Sequence, residues 1–266
     1  MSFFCCSLSS GSDGNCQFIQ TDKAKILIDA GFSGKRVELL LKQVKVLASE
    51  LDAIFITHEH RDHIQAAGVL ARRHNIPIYA TAGTWAAMTP IIKEVPRELT
   101  RIIDSNSTVS IGDVGLFALP THHDAVDSVA YIVNWKEKKA SFITDTGWIS
   151  PYMIGAMEKS DLFFIEANHD IEALRDGPYP LELKQRIMGN RGHLSNEHTG
   201  VCLSRLLKGN GERILLGHLS NENNTHKLAL DEVNKNLTEQ GFIEGEHYTI
   251  EVAERFDVTH GIKWEE

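Results

Sequence analysis

Ala53-Ile54-Phe55-Ile56 runs directly into Thr57-His58-Glu59-His60-Arg61-Asp62-His63, and this junction decides the fold. The apolar run predicts a short buried strand. Ile64, Ala67, Gly68 and Ala71 fall at helical spacing and predict a helix over Asp62–Arg73. The histidines therefore sit where a strand gives way to a helix. In extended chain, residues two apart point the same way, so His58 and His60 can grip one metal ion, and Asp62 and His63 can face a second. Imidazole with carboxylate suits Zn²⁺, iron or Mn²⁺. The alternative, Asp62 as a helix cap with exposed polar histidines, is weakened by their density at one strand end. Positions 61 and 62 hold Arg and Asp, which excludes the His-Glu-x-x-His pattern of helical zinc proteases.

A two-metal site needs more ligands, and other strand ends offer them. Leu116–Leu119 leads into Pro120-Thr121-His122-His123-Asp124-Ala125, Ala140–Ile143 into Thr144-Asp145-Thr146-Gly147, and Ile214–Leu216 into Gly217-His218-Leu219-Ser220. Each places a His or Asp just past a strand, where α/β sheets gather ligands. Further strands are predicted at Phe3–Leu8, Gln17–Gln20, Lys25–Ile28, Ile76–Tyr79, Ile102–Ile103, Thr108–Ile111, Leu162–Ile165 and Tyr248–Ala253, with Val129–Asn134 and Ala140–Ile143 as a hairpin. Helices are predicted at Lys35–Val44, Trp85–Ile92, Pro151–Glu158, Leu181–Met188, Asn196–Leu207 and Thr225–Thr238. About a dozen strands are too many for one simple open sheet. Two packed mixed β-sheets with outer helices, an αββα four-layer sandwich, fit better. No repeat, low-complexity tract or linker divides residues 1–266, so one domain is expected.

Composition narrows the class. The hydrophobic fraction of 42% with 24% charged residues is ordinary for a globular chain and argues against wholesale disorder. No apolar run approaches membrane-spanning length, and the start lacks a basic region and a cleavage site, so a cytoplasmic location without a signal peptide or membrane contact is expected. Cys5, Cys6, Cys16 and Cys202 form no Cys-x-x-Cys pair and no disulfide framework. The Asn-x-Ser/Thr triplets at Asn106, Asn223 and Asn236 mark polar loops and helix surface.

His58-x-His60-x-Asp62-His63, followed by His123, Asp145 and His218, resembles the ordered ligand set of the metallo-β-lactamase-fold hydrolases. The resemblance spans nearly the whole chain. It implies that His58, His60 and His123 hold the first metal, that Asp62, His63 and His218 hold the second, and that Asp145 bridges them. His122 competes with His123, which the following Asp124-Ala125 favours. Ser10-Gly11-Ser12-Asp13-Gly14-Asn15, Glu166-Ala167-Asn168-His169-Asp170, Tyr179-Pro180 and Gly192-His193-Leu194-Ser195-Asn196 resemble the bacterial WalJ/YycJ-type group of DNA exonucleases. That group is similar to the tRNA 3′-processing ribonucleases, which carry a His-x-Ser/Thr motif matched here by His193-Leu194-Ser195.

The resemblance implies a phosphodiesterase acting on nucleic acid, most readily a 5′-to-3′ DNA exonuclease, with two divalent ions, Zn or Mn, activating a hydroxide. Asp62 accepts the proton of the water. His193 donates to the leaving oxygen or holds the non-bridging one, unless it is only a polar residue at a helix start. Glu166 orients His193, or serves a structural pairing. Asn168, His169, Ser195 and Asn196 are candidates for substrate contact. Strand polarity and the choice of DNA over RNA stay open. The other enzyme class is a small-molecule metallo-hydrolase of thioesters, lactones or cyclic phosphodiesters, because fold does not fix function. A scaffold without chemistry is countered by the intact ligand set.

Net charge is −9, which by itself opposes binding to a polyanion. Its distribution changes that conclusion. Residues 222–266 hold eleven acids against four bases. Residues 181–213, around His193, hold three acids against six bases: Lys184, Arg186, Arg191, Arg205, Lys208 and Arg213. A locally positive site on an acidic protein is expected.

Overall fold

A computed structural model describes residues 2–265. β1 (Ser2–Ser9), β2 (Cys16–Thr21) and β3 (Lys25–Ile28) precede α1 (Gly34–Gln43), β4 (Ala53–Phe55), α2 (Arg61–Ile64) and α3 (Ala67–His74). β5 (Ile78–Thr81), α4 (Ala82–Ile92) and β6 (Thr100–Ile103) follow, then a β-rich stretch of β7 (Thr108–Ile111), β8 (Val114–Pro120), β9 (Val129–Trp135) and β10 (Lys138–Ile143). α5 (Pro151–Met157), β11 (Leu162–Glu166), α6 (Ile171–Asp176), α7 (Leu181–Met188) and α8 (Asn196–Leu206) come next. The chain then runs through β12 (Glu212–Gly217), α9 (His226–Glu239), β13 (Tyr248–Val252) and β14 (Ile262–Glu265).

The strands form two seven-stranded mixed sheets, ordered β14-β1-β2-β3-β4-β5-β6 and β13-β12-β11-β10-β9-β8-β7. In the first, β14, β1, β2 and β3 pair antiparallel, and β3 to β6 run parallel. In the second, β10 to β13 run parallel and β7 pairs antiparallel with β8. These are the sheets and helices that the αββα expectation requires. By its internal contacts the chain divides into two compact units: residues 1–120, 125–131 and 254–266, and residues 121–124 and 132–253.

In the first unit Leu8, Phe18, Leu27 and Ile54 meet Val37, Leu40 and Leu41 of α1 and Leu70 of α3 in one core. Val37, Leu40 and Leu41 fall at i, i+3 and i+4 and form the buried stripe of the helix expected over Lys35–Val44. In the second unit Phe163, Phe164, Ile165 and Leu216 are fully buried. Parallel strands covered on both faces read as continuous apolar runs, and these do. α9 turns Ala229, Val233 and Leu237 inward and packs on α8. All four cysteines are buried and none is in a disulfide, and burial pushes the Cys6 and Cys202 thiols up to about 12. No helix among the described residues is long and apolar enough to cross a membrane.

Several predicted elements shift for local reasons. The single helix expected over Asp62–Arg73 is two, because Ala30 enters the turn between them: its N–H donates to the His63 carbonyl and its carbonyl accepts from Ala66 N–H, both at 2.7 Å. α4 begins three residues before Trp85, since the Thr81 hydroxyl accepts from Thr84 N–H and caps it. Asp170 caps the unanticipated α6 through Ala173 N–H at 2.8 Å. β14, also unanticipated, exists through antiparallel pairing with β1 at the opposite end of the chain. Thr225 lies outside the helix it was expected to start, and its Oγ1 accepts from Leu228 N–H at 3.1 Å. Thr225→Ala is therefore expected to cost about 1 kcal/mol. A lower urea midpoint at unchanged slope, restored by Thr225→Ser, checks it.

Candidate metal centre

In the first unit, β3 and β4 are parallel neighbours paired Ile28↔Phe55, so both release their chains at one edge. β3 delivers Asp29 there, and β4 delivers Thr57 and His58. Asp29 is buried and adopts left-handed backbone, φ 63°. Its Oδ1 accepts Thr57 N–H at 2.9 Å, and its Oδ2 accepts the Thr57 hydroxyl at 2.9 Å and His63 Nδ1 at 2.7 Å. With its proton given to Asp29, Thr57 Oγ1 accepts from His58 Nδ1 at 2.9 Å. The chain of donors thus puts the proton on Nδ1 of both imidazoles and the lone pair on Nε2, the state a metal ligand needs. Burial pushes the Asp29 carboxyl above the usual carboxylate range, against the opposing pull of His63 and Thr57.

The same edge gathers the rest of this cluster. The His58 ring lies 4.6 Å from that of His60 and 4.1 Å from that of His63. Asp62 Oδ2 is 3.4 Å from His63 Nε2. The Ser10–Asn15 turn is fastened here: Asn15 Nδ2 lies 3.1 Å from His63 Nε2 and 3.4 Å from Asp62 Oδ2, and Asn15 N–H donates to the Asp62 carbonyl at 2.8 Å. That approach leaves no room at Gly31, where a Cβ would lie 1.7 Å from the Asp62 carbonyl oxygen.

The second unit builds its cluster in the same way. β10, β11 and β12 are adjacent and parallel, with Ile143↔Ile165 and Glu166↔Gly217 in register, so Asp145, Glu166 and His218 emerge together. Asp145 and His218 both hold left-handed backbone, φ 57° and 54°. Asp145, Glu166, His193 and His218 each offer one ligand-capable atom, all within 4.8 Å of one another. His218 Nδ1 is 3.4 Å from both Asp145 Oδ1 and Glu166 Oε2. His193 Nδ1 is 3.1 Å from Glu166 Oε2 and 3.6 Å from Asp145 Oδ1. Glu166 Oε1 accepts Thr146 N–H at 2.7 Å and Leu194 N–H at 3.2 Å. Burial opposes its charge, but hydrogen bonds from His193 and His218 hold the carboxyl down at about 2.

His123 joins this group and His122 does not. His123 Nδ1 donates to the Gly192 carbonyl at 3.1 Å, which puts its lone pair on Nε2, 3.7 Å from Asp145 Oδ1. Burial lowers its pKa, against the pull of Asp145. The His122 ring packs instead on Trp148, centroids 4.8 Å apart. Ser195 is buried and caps α8 through His198 N–H at 3.1 Å. The Asn196 amide pairs reciprocally with that of Asn224 at 3.0 and 2.8 Å, and Asn168 Nδ2 donates to the His218 carbonyl at 2.9 Å. His169 is buried, which pushes its pKa down to about 4, and its Nδ1 has no hydrogen-bond partner among the described residues.

The basic residues divide. Arg186 Nε binds Asp124 Oδ2 at 2.5 Å and Arg191 Nε donates to the His123 carbonyl at 2.9 Å, so both lie beside a candidate ligand. Lys184 turns away to the Arg175 carbonyl at the end of α6, which removes it from the expected positive site. Asp29 and the contacts of Asn15 escaped the sequence. Asp29 directly follows the buried run Ile26-Leu27-Ile28, the same strand-end signal that marked Asp145.

Gly31→Ala is expected to destabilise the first unit by more than the roughly 1–3 kcal/mol usual for overpacking, since the clash is with backbone. Gly155→Ala, with nothing within 4 Å of its Cβ, should leave the urea midpoint unchanged or higher.

Residues 24–219 match the family described as "Beta-lactamase superfamily domain". Exodeoxyribonuclease YycJ of Bacillus anthracis is 38% identical over 243 residues, covering 91% of this chain and 92% of that protein. Exodeoxyribonuclease WalJ of Streptococcus pneumoniae is 43% identical over 224 residues, covering 84% and 83%. The solved metallo-β-lactamase-fold protein YhfI from Bacillus subtilis matches with a TM-score of 0.72 at 18% identity, over 100% of this chain and 99% of its own. The structural likeness shows the fold, and the sequence identities show the branch. The chain belongs to the metallo-β-lactamase-fold hydrolase superfamily, in the branch that holds the WalJ and YycJ proteins.

Proposed function

We propose that this hydrolase is a metal-dependent phosphodiesterase that trims DNA from an end, in the 5′-to-3′ direction, in the cytoplasm, with residues 1–266 acting as one domain. One observation carries the choice of reaction. His193, its side chain 19% exposed, is held at 3.1 Å on a Glu166 side chain that is 0% exposed, beside Asp145 and His218. An imidazole that keeps some access to solvent while a buried carboxylate fixes its ring is placed to protonate a poor leaving oxygen. The two relatives named exodeoxyribonucleases support DNA as the substrate.

The donor set fits a pair of divalent ions, Zn or Mn, because the hydrogen bonds place the lone pairs of His58, His63 and His123 on Nε2. His58, His60 and His123 would hold one ion, and Asp62, His63 and His218 the other, with Asp145 shared. When bound, the ions lower the pKa of a water and offset charge on phosphate oxygens. Asp62 takes the proton of the attacking water. His193 donates to the leaving oxygen, and Glu166 fixes its ring by accepting from Nδ1. His169 is assigned to substrate contact. Asn168, Ser195 and Asn196 are assigned there too, beside the bonds they make to the His218 carbonyl, the His198 N–H and the Asn224 amide.

The test is metal-loaded protein with 5′- and 3′-labelled DNA and RNA across Mn²⁺, Zn²⁺ and Mg²⁺. Stepwise release from DNA 5′ ends, abolished by a chelator, is expected. No cleavage of any strand overturns the proposal, and turnover of a lactone or thioester with DNA intact replaces it with the small-molecule hydrolase. His193→Ala should lower kcat about 10²- to 10⁴-fold with little change in KM. Asp29→Asn should weaken metal affinity about 10- to 100-fold, read by competition with a fluorescent zinc chelator.

A further inference from the structure

A cavity of about 220 Å³ opens in the second unit, walled by Gly147, Trp148, Asn190, Leu194, His198 and Arg205 among others. Its position, size and chemistry point the same way. Gly147 lies two residues past Asp145, and Leu194 directly follows His193, so the cavity starts beside the cluster that would carry the reaction. Its volume falls below the roughly 300–1,000 Å³ typical of sites for drug-sized molecules, a size suited to one small ring system. Its wall is firm. A Cβ at Gly147 would lie 2.3 Å from the Gly189 carbonyl oxygen and 2.5 Å from Gly192 N, so the Gly189–Gly192 loop, which carries Asn190, packs tightly on it.

The lining is amphipathic in a specific way. Trp148 is 47% exposed, a large aromatic left at the surface, and its indole is propped by the His122 ring. Arg205 and His198 bring N–H donors, and no acidic side chain among the described residues lines the cavity. Arg205, exposed in the last turn of α8, has no ion-pair partner among the described residues. An open aromatic face beside an uncommitted guanidinium is the combination that receives a base and its phosphate.

We infer that this cavity is a nucleobase subsite: the base at the strand terminus stacks on Trp148 while Arg205 meets a flanking phosphate. The inference rests on the nuclease proposal and names its substrate determinant. Stacking tolerates any base, because every base has a π face. The subsite would therefore sense that a base is present rather than which base it is, and a strand ending in an abasic sugar would seat poorly.

Binding is measured on chelator-treated protein, so that no turnover intervenes, by anisotropy of single-stranded DNA labelled at its far end. Oligonucleotides with an intact and an abasic 5′-terminal residue are compared. Wild type is expected to prefer the intact end about tenfold or more, the worth of one stacked base. Trp148→Leu should bring the two affinities together, and Trp148→Phe should keep part of the preference. Equal affinities in wild type, a preference that survives in Trp148→Leu, or no binding of either strand overturns the subsite. Equal affinities with intact DNA still cleaved by metal-loaded protein remove the subsite and leave the nuclease proposal standing. A base preference without cleavage in any metal does the reverse.

Discussion

A carboxylate buried away from water must find donors for its lone pairs, and much of the second unit is arranged around that demand at Glu166. Its two oxygens accept from the backbone of Thr146 and Leu194 and from the rings of His193 and His218. Those donors come from the loops after β10 and β12 and from the turn before α8. One side chain therefore sets the relative positions of three segments that touch the candidate centre. Its backbone carbonyl also accepts the Thr199 hydroxyl at 2.6 Å, which ties α8 to the same point. Asp29 has the same place in the first unit, where it gathers Thr57 and His63 and, through Thr57, His58. Each unit thus hangs its ligand-bearing residues on one buried acid.

Much of this was legible in the sequence because it is local. The strand before His58, the strand ends before His123, Asp145 and His218, and the apolar stripe of α1 all follow from patterns within a few residues. Glu166 was marked by its motif and paired with His193, although its bonds from Thr146, Leu194 and His218 were not visible. What escaped depends on contacts distant in sequence. Asp29 has no motif of its own, and only the fold brings it to Thr57 and His63. The break between α2 and α3 is made by Ala30, more than thirty residues upstream of the helix it interrupts. β14 pairs with β1 across the length of the chain. Ser195 and Asn196, candidates for substrate contact, also serve a cap and an amide pair, and residue type alone does not separate those uses.

Charge follows the same logic of place over sum. The acidic excess lies mainly after residue 221, much of it on and beyond α9, while Arg186 and Arg191 attach to the segment that carries His123. Arg186 is partly neutralised by Asp124, so the positive field available to an anion is smaller than the count of bases predicted. Arg205, free of such a partner among the described residues, carries more of it.

Asp29, Asp145 and His218 share one further property, a backbone twisted into the left-handed region that residues with a Cβ avoid. Such positions cost on the order of 1–3 kcal/mol each and persist only where surrounding contacts over-determine them. Selection for stability alone would favour replacements that relax these turns, and each relaxation would remove a group from the centre. The backbone at these three positions is thus part of the centre, because a turn that relaxed would carry its side chain away from the cluster it now joins.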